Sequence, residues 1–185
     1  MTNSTSKNLV LNLISSKDSY YSFSFINQEL KKENKIIFNQ KKWSKINIIN
    51  TNNEFIILPS KIPEFLKIIN IDKTIGNSPS TEKKTKRFKK LNFTFYIKKN
   101  KENQIANSIN HIGNILLDEF LTNTSISKKM YLSVLHNKLY VCLIDKNNLL
   151  FYNQFEFSNS DYLKYILLVF EEYKLDREKT EINLL

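Results

Sequence analysis

The chain has 185 residues, 41% of them hydrophobic and 12% aromatic, and a formal net charge of +10. That length holds one domain or two small ones, and the apolar content fills a core, which excludes a disordered chain. No apolar run reaches the roughly 18 to 20 residues of a membrane span, and the N-terminus has no signal-peptide cleavage pattern. The expectation is a cytoplasmic protein that neither enters a membrane nor carries a cofactor.

The charge is uneven. Residues 1–102 carry 20 Lys or Arg against 8 Asp or Glu, whereas residues 128–185 balance at 8 and 8. Six basic residues, Lys83, Lys84, Lys86, Arg87, Lys89 and Lys90, are packed into TEKKTKRFKK. Such a run favours contact with anions or nucleic acid, although the abundance of Asn, Ile and Lys is also what an AT-rich coding sequence yields.

In chain order, Leu9–Ile14 and Tyr20–Ile26 are β-type runs separated by SSKDS and predict a hairpin. Tyr21, Phe23 and Phe25 alternate with Ser22 and Ser24, so the aromatic side is expected to face a core. Lys35–Phe38 predicts a third strand of an antiparallel meander, and Glu54–Leu58 a fourth strand. SKIPEFLKII predicts a short helix opened by Ser60 and Pro63. Asp72 to Lys90, with Gly76, Pro79 and the basic run, has almost nothing to bury and reads as a loop. Leu91–Ile97 alternates as a strand. From Asn103 the spacing of Ile105, Ile109, Ile112, Leu116 and Phe120 predicts one helix, with Asn107, His111, Asn114 and Asp118 toward solvent.

The last third predicts three strands, Met130–Leu135, Leu139–Ile144 and Leu149–Phe157, joined by polar turns at His136–Asn137 and Asp145–Asn148. Ser158 and Asp161 then read as the cap of a helix. Its inner face is expected to hold Leu163, Ile166, Phe170 and Tyr173, widened by Leu167 and Val169. EINLL predicts a parallel strand returning to the sheet. Cys142, the single cysteine, lies within a strand and is expected to be a buried small hydrophobe. The expected division is an N-terminal unit over 1–127, containing the loop 72–90, and a C-terminal unit over 128–185.

Strand order and residues then meet a family. FYNQFEFSNSDYLKYILLVFEEYKLDREKTEINL resembles the most characteristic stretch of an uncharacterised bacterial family, domain of unknown function 3822. The shared features are Leu149, Leu150, Tyr152, Asn153 and Phe155, then Asp161, Tyr165, Leu167, Leu168, Phe170 and Leu175. EFIILPSKIPEF, with Leu58 and Pro59, resembles the family's second recurring segment, and NLVLNLISSKDSYYSFSFIN its opening hairpin. The resemblance implies a mixed α/β, actin-like and ribonuclease-H-type fold, with sheets flanked by helices and with no established activity. It also implies an incomplete C-terminal unit, since relatives continue past Leu185 with a further helix and strand.

The residues point away from catalysis. Actin-like ATPases grip phosphates with hairpin turns rich in glycine and carrying an aspartate, because only glycine lets the backbone approach phosphate oxygens so closely. The first hairpin here offers Asn12 and SSKD up to Asp18, without glycine, and the second offers His136, Asn137 and Lys138. Two-metal nuclease chemistry needs three or four convergent carboxylates, whereas Asp18, Asp145 and Asp161 fall at turns or a cap. His111 and His136 read as solvated residues. The expectation is a non-catalytic scaffold or adaptor with a protein partner or self-association. The alternatives are weak, non-specific nucleic-acid or anion binding through residues 83–90, and nucleotide binding without hydrolysis.

Overall fold

The computed structural model describes residues 10–16, 19–24, 29–34, 37–40, 43–51, 54–59, 78–88, 90–122, 127–158 and 161–185. The chain packs as two compact units, Met1–Ile112 and Gly113–Leu185.

The first unit is built on β1 (Val10–Ser16), which has alternating apolar residues and therefore one side to bury. It pairs antiparallel with β2 (Ser19–Ser24) and parallel with β4 (Lys45–Asn50). Strand β3 (Glu29–Glu33) extends β2, and β8 (Ser108–His111) lies parallel to β4, giving the order β3-β2-β1-β4-β8. Register sets Leu11 opposite Ile46 and Leu13 opposite Ile48, so four side chains share one face, each at most 7% exposed. Burial of this kind contributes roughly 1.5–3 kcal/mol per side chain. Tyr20, Ile37 and Phe38 complete that cluster. Ile37 and Phe38 come from the single turn α1 (Ile37–Gln40), where the Trp43 indole N–H donates to the Ile37 carbonyl at 2.9 Å.

A three-stranded antiparallel sheet, ordered β5-β7-β6, completes the unit: β5 (Phe55–Pro59), β6 (Thr81–Phe88) and β7 (Leu91–Lys98). Residues Phe93 to Ile97 of β7 are all buried, so this strand supplies the core of its sheet. After it, Asn100 caps the short helix α2 (Lys101–Ile105) by accepting the Asn103 N–H at 2.8 Å. Asn107 then clips β8 to β4: its N–H donates to the Ile46 carbonyl at 2.8 Å and its side-chain oxygen accepts the Ile46 N–H at 2.7 Å.

The second unit has helix α3 (Ile112–Thr122), strands β9 (Lys129–Leu135), β10 (Lys138–Asp145) and β11 (Asn148–Glu156), helix α4 (Leu163–Glu172) and strand β12 (Glu181–Leu184). The sheet order is β11-β10-β9-β12, with β12 parallel to β9 and the other pairs antiparallel. On one face Met130, Leu132, Leu139, Val141 and Leu143 pack under Ile166, Val169 and Phe170 of α4. On the other face Phe120 of α3 meets the rings of Tyr131 and Tyr152 at 5.4 and 5.9 Å.

The three C-terminal strands, their turns, the parallel return at 181–184 and the burial of Cys142 agree with the sequence reading. Several expectations do not. The third strand is Glu29–Glu33 rather than Lys35–Phe38, because an edge strand tolerates the charged ELKKE while Ile37 and Phe38 are drawn into the core. Ser15 stands opposite Tyr20, which puts Tyr20 on the core side in place of Tyr21. Lys45–Asn50, not foreseen, is a central strand. The expected single helix from Asn103 divides into α2, β8 and α3, and His111 and Asn114 are buried at 0% and 1% rather than solvated. Helix α4 begins at Leu163 without a side-chain cap, so Ser158 and Asp161 do not cap it. Leu163 and Leu167 are exposed. The expected helix at Ser60–Ile69, Gly76, Phe25 and Ile26 lie outside the described residues.

Candidate functional site

Three places bear on function: the turns of the two hairpins and the basic run. At the first turn, Ser16 and Ser19 close the β1–β2 ladder, and Lys17 and Asp18 lie outside the described residues. Asn12 is engaged structurally. Its side-chain oxygen accepts the Asn47 amide at 2.8 Å, and the Asn47 oxygen accepts the Ser108 hydroxyl at 2.7 Å. This polar row crosses β1, β4 and β8 at matching register.

The second turn is tight, since Leu135 pairs directly with Lys138. His136 takes φ 56°, a left-handed conformation that suits glycine far better than an imidazole-bearing residue. The Asn137 carbonyl is used internally, accepting the Phe157 N–H at 2.9 Å. Lys138, beside the turn, does not project into solvent: its side chain is 8% exposed and its ammonium lies 3.7 Å from the Glu156 carboxylate. A phosphate cradle needs several backbone N–H groups aimed at one point. This turn has no glycine to permit that approach, and its one cation is buried against a carboxylate.

The basic run is the outer strand of its sheet, not a loop. Charged residues suit an edge, where lysines also discourage pairing with another chain. Pairing with β7 sets Lys84 opposite Phe95 and Lys86 opposite Phe93 on one face, and Lys83 opposite Tyr96 and Arg87 opposite Asn92 on the other. The pleat therefore divides the charges two and two. Lys90 stands exposed at the hairpin turn, and Lys89 lies outside the described residues. Lys84 is bound to Glu82 at 2.6 Å and Lys86 lies 5.0 Å from the centre of the Phe88 ring.

Sequence patterning missed the buried polar groups. His111 sits among Phe55, Phe93 and Phe95, with ring centroids 5.3 to 5.7 Å away. On the α3 side of the four-stranded sheet the Tyr152 hydroxyl donates to the Gly113 carbonyl at 2.6 Å. Burial pushes the Cys142 thiol and the Tyr140 hydroxyl well above their ordinary ranges, and it raises the Tyr152 hydroxyl as well, with help from both. Helix phase would have revealed Asn114 only if the helix start were known. Among the described residues no three of His, Cys, Asp and Glu gather closely enough to hold a metal, and no helix is long and apolar enough to cross a membrane.

These two units have the fold of the actin-like proteins. A structure from Bacteroides thetaiotaomicron VPI-5482, described as a protein with actin-like ATPase fold and unknown function, superposes with a TM-score of 0.71 at 19% identity, covering 100% of this chain and 84% of that one. The chain belongs to the family described as protein of unknown function DUF3822, whose model matches residues 3–185. Weaker likenesses are to the cytoplasmic domain of EpsL, an inner membrane component of the type II secretion system of Vibrio cholerae (TM-score 0.46, 9% identity, 95% of this chain and 80% of that one), and to a PilM–PilN type IV pilus biogenesis complex (0.43, 10%, 90% and 66%). No curated protein matches the chain.

Proposed function

We propose that the protein is a cytoplasmic, non-catalytic scaffold or adaptor, an actin-like fold kept for its surfaces after the phosphate grip has been lost. The observation that carries this reading is the β9–β10 turn. Where an actin-like ATPase would hold phosphate, His136 replaces glycine in a left-handed position and Lys138 is turned inward to Glu156. A steady-state assay with ATP and magnesium tests it. The expected result is no turnover above the buffer rate. Turnover that disappears on Lys138→Ala would overturn the reading.

A second reading is supported by Lys83 and Arg87 on one face of β6 and Lys84 and Lys86 on the other, with Lys90 at the turn. Dividing the charges leaves about two phosphate contacts for any one surface, so binding to nucleic acid would be weak, non-specific and only gently salt-dependent. Fluorescence anisotropy with single-stranded DNA tests it. Sub-micromolar, sequence-selective binding at physiological salt, lost when Lys83, Lys84, Lys86, Arg87, Lys89 and Lys90 are neutralised, would place this reading first.

A further inference from the structure

Lysines on a sheet edge turn away most incoming strands, which must either desolvate them or match their charge. The two charged edges of the first unit differ in this respect. Strand β3 balances Lys31 and Lys32 with Glu29 and Glu33, and the Lys31 ammonium lies 3.9 Å from Glu33. Strand β6 sets Lys83, Lys84, Lys86 and Arg87 against Glu82 alone. It is eight residues long, with Lys83, Thr85, Lys86 and Arg87 exposed along it.

Backbone groups are presented there as well as charge. The Lys99 N–H donates to the Ser80 carbonyl at 2.8 Å, and the register with β7 runs without a shift from Thr81 against Lys98 to Phe88 against Leu91. Bonded pairs alternate along an antiparallel ladder. Glu82, Lys84 and Lys86 therefore turn their N–H and C=O groups toward β7, while Lys83, Thr85 and Arg87 turn theirs away. Among the described residues no strand pairs with that outer side. The two-and-two split of the cations decides what fits. A nucleic acid lying on one face of the sheet meets only half of them. A strand added at the edge lies in the plane of the sheet with side chains alternating between both faces, so it meets all four.

We propose that β6 receives an extended acidic segment of a partner protein, which joins the three-stranded sheet as a fourth strand. Hydrogen bonds to the backbone of Lys83, Thr85 and Arg87 supply the ladder, and the side chains supply the selection. Opposite charges directly across from one another stabilise paired strands, and like charges oppose pairing. The complement of the run from Lys83 to Arg87 is two acidic residues, a neutral one opposite Thr85, and two more acidic ones. Lys84 can serve a second carboxylate, since an ammonium has three donors and Glu82 stands at 2.6 Å from it. A second copy of this chain is not the occupant. Nowhere in the sequence do more than two acidic residues stand side by side, and β6 laid beside β6 would set cations against cations.

The proposal rests on the scaffold reading and names the chemistry of its partner. Fluorescence anisotropy on the full chain, with a labelled peptide holding Glu-Glu-Thr-Glu-Glu between valines, is expected to show saturable binding. The same peptide N-methylated throughout keeps its charge and loses its ladder donors, and is expected to bind at least about tenfold more weakly. Reversing two exposed charges, Lys86→Glu with Arg87→Glu, is expected to weaken the parent peptide by a similar factor. Hydrogen exchange at the Lys83, Thr85 and Arg87 amides is expected to slow when the peptide is added. An absence of saturable binding, equal binding of the methylated peptide, or unchanged exchange at those three amides overturns the strand addition. Single-stranded DNA of equal charge that binds more tightly than the peptide overturns it in favour of nucleic acid. A chain that refuses the peptide and does not turn over ATP would sink the strand addition and leave the scaffold reading standing; one that takes the peptide and hydrolyses ATP would do the reverse.

Discussion

Lys146 and Lys174 sit at φ 50° and 48°, where an L-residue with a side chain strains against its own backbone by about 1–2 kcal/mol. Each is held there by its surroundings. Lys146 and Asn147 form the two left-handed positions between the paired residues Asp145 and Asn148, the turn whose twist matches a hairpin. Lys174 ends α4 in a Schellman closure: its N–H donates to the Glu171 carbonyl at 3.1 Å, the Leu175 N–H donates to Phe170 at 2.8 Å, and Leu175 packs into the core below. Lys174→Gly and Lys146→Gly should each stabilise the protein by about 0.5–1 kcal/mol after the added unfolded-state entropy of glycine is counted. Urea midpoints measure this, and a loss of stability would show that these lysine side chains contribute more than their strain costs. Cys142 is fully buried with its thiol pushed up by burial, so a thiol reagent should leave the native protein unmodified and react only after unfolding. The asparagines of the C-terminal turns were legible in the sequence because they tolerate left-handed backbone. The strained Lys146 and Lys174 were not, since nothing in a lysine announces left-handed backbone.

At the scale of elements, α4 shows how far periodicity reaches. Its 3.6-residue pattern marks Ile166, Phe170 and Tyr173 as inward, and they are buried or half-buried. It also marks Leu163 and Leu167, which are exposed, because a helix on a sheet buries a narrower stripe than leucine spacing alone implies. Phe170→Ala should therefore cost roughly 3–5 kcal/mol in equilibrium unfolding, whereas Leu167→Ser should stay within about 0.5 kcal/mol; similar losses at both sites would contradict the packing. Strand β6 was hidden because six charges read as loop, yet a partner as buried as β7 can carry a charged edge. Strand β4 was hidden because KINIIN is short and bordered by polar residues, although its alternation was present. The Lys129–Glu181 bond ties β12 to β9 at 2.9 Å, holding the Glu181 carboxyl below its ordinary range and the Lys129 ammonium above its own. A lowered carboxylate contributes above its unfolded range and is lost as pH falls through the lowered value. A raised ammonium contributes until pH climbs past the raised value. The tie thus spans neutral pH and fails in acid. Hydrogen-exchange protection at the Asn183 and Leu185 amides should fall on acidification before that of β10, and uniform loss across the sheet would contradict this local role.

At the scale of the whole molecule, the sequence disclosed the second unit far better than the first. Met130 to Leu185 is a run of short-range pairings, each strand bonded to the next or returned through one helix, and local patterns suffice for that. The first unit depends on parallel pairings between distant segments, such as β1 with β4 and β4 with β8, and no local pattern specifies them. The candidate site was legible by what the turns lack, glycine in both and a carboxylate in the second, and not by the inward fold of Lys138, which only tertiary packing decides. Isothermal calorimetry of ATP with magnesium decides whether the phosphate grip is lost, because binding precedes any chemistry. No heat beyond dilution is expected; saturable binding at micromolar concentration, abolished by substituting Asp18 or Asn12, would contradict that loss.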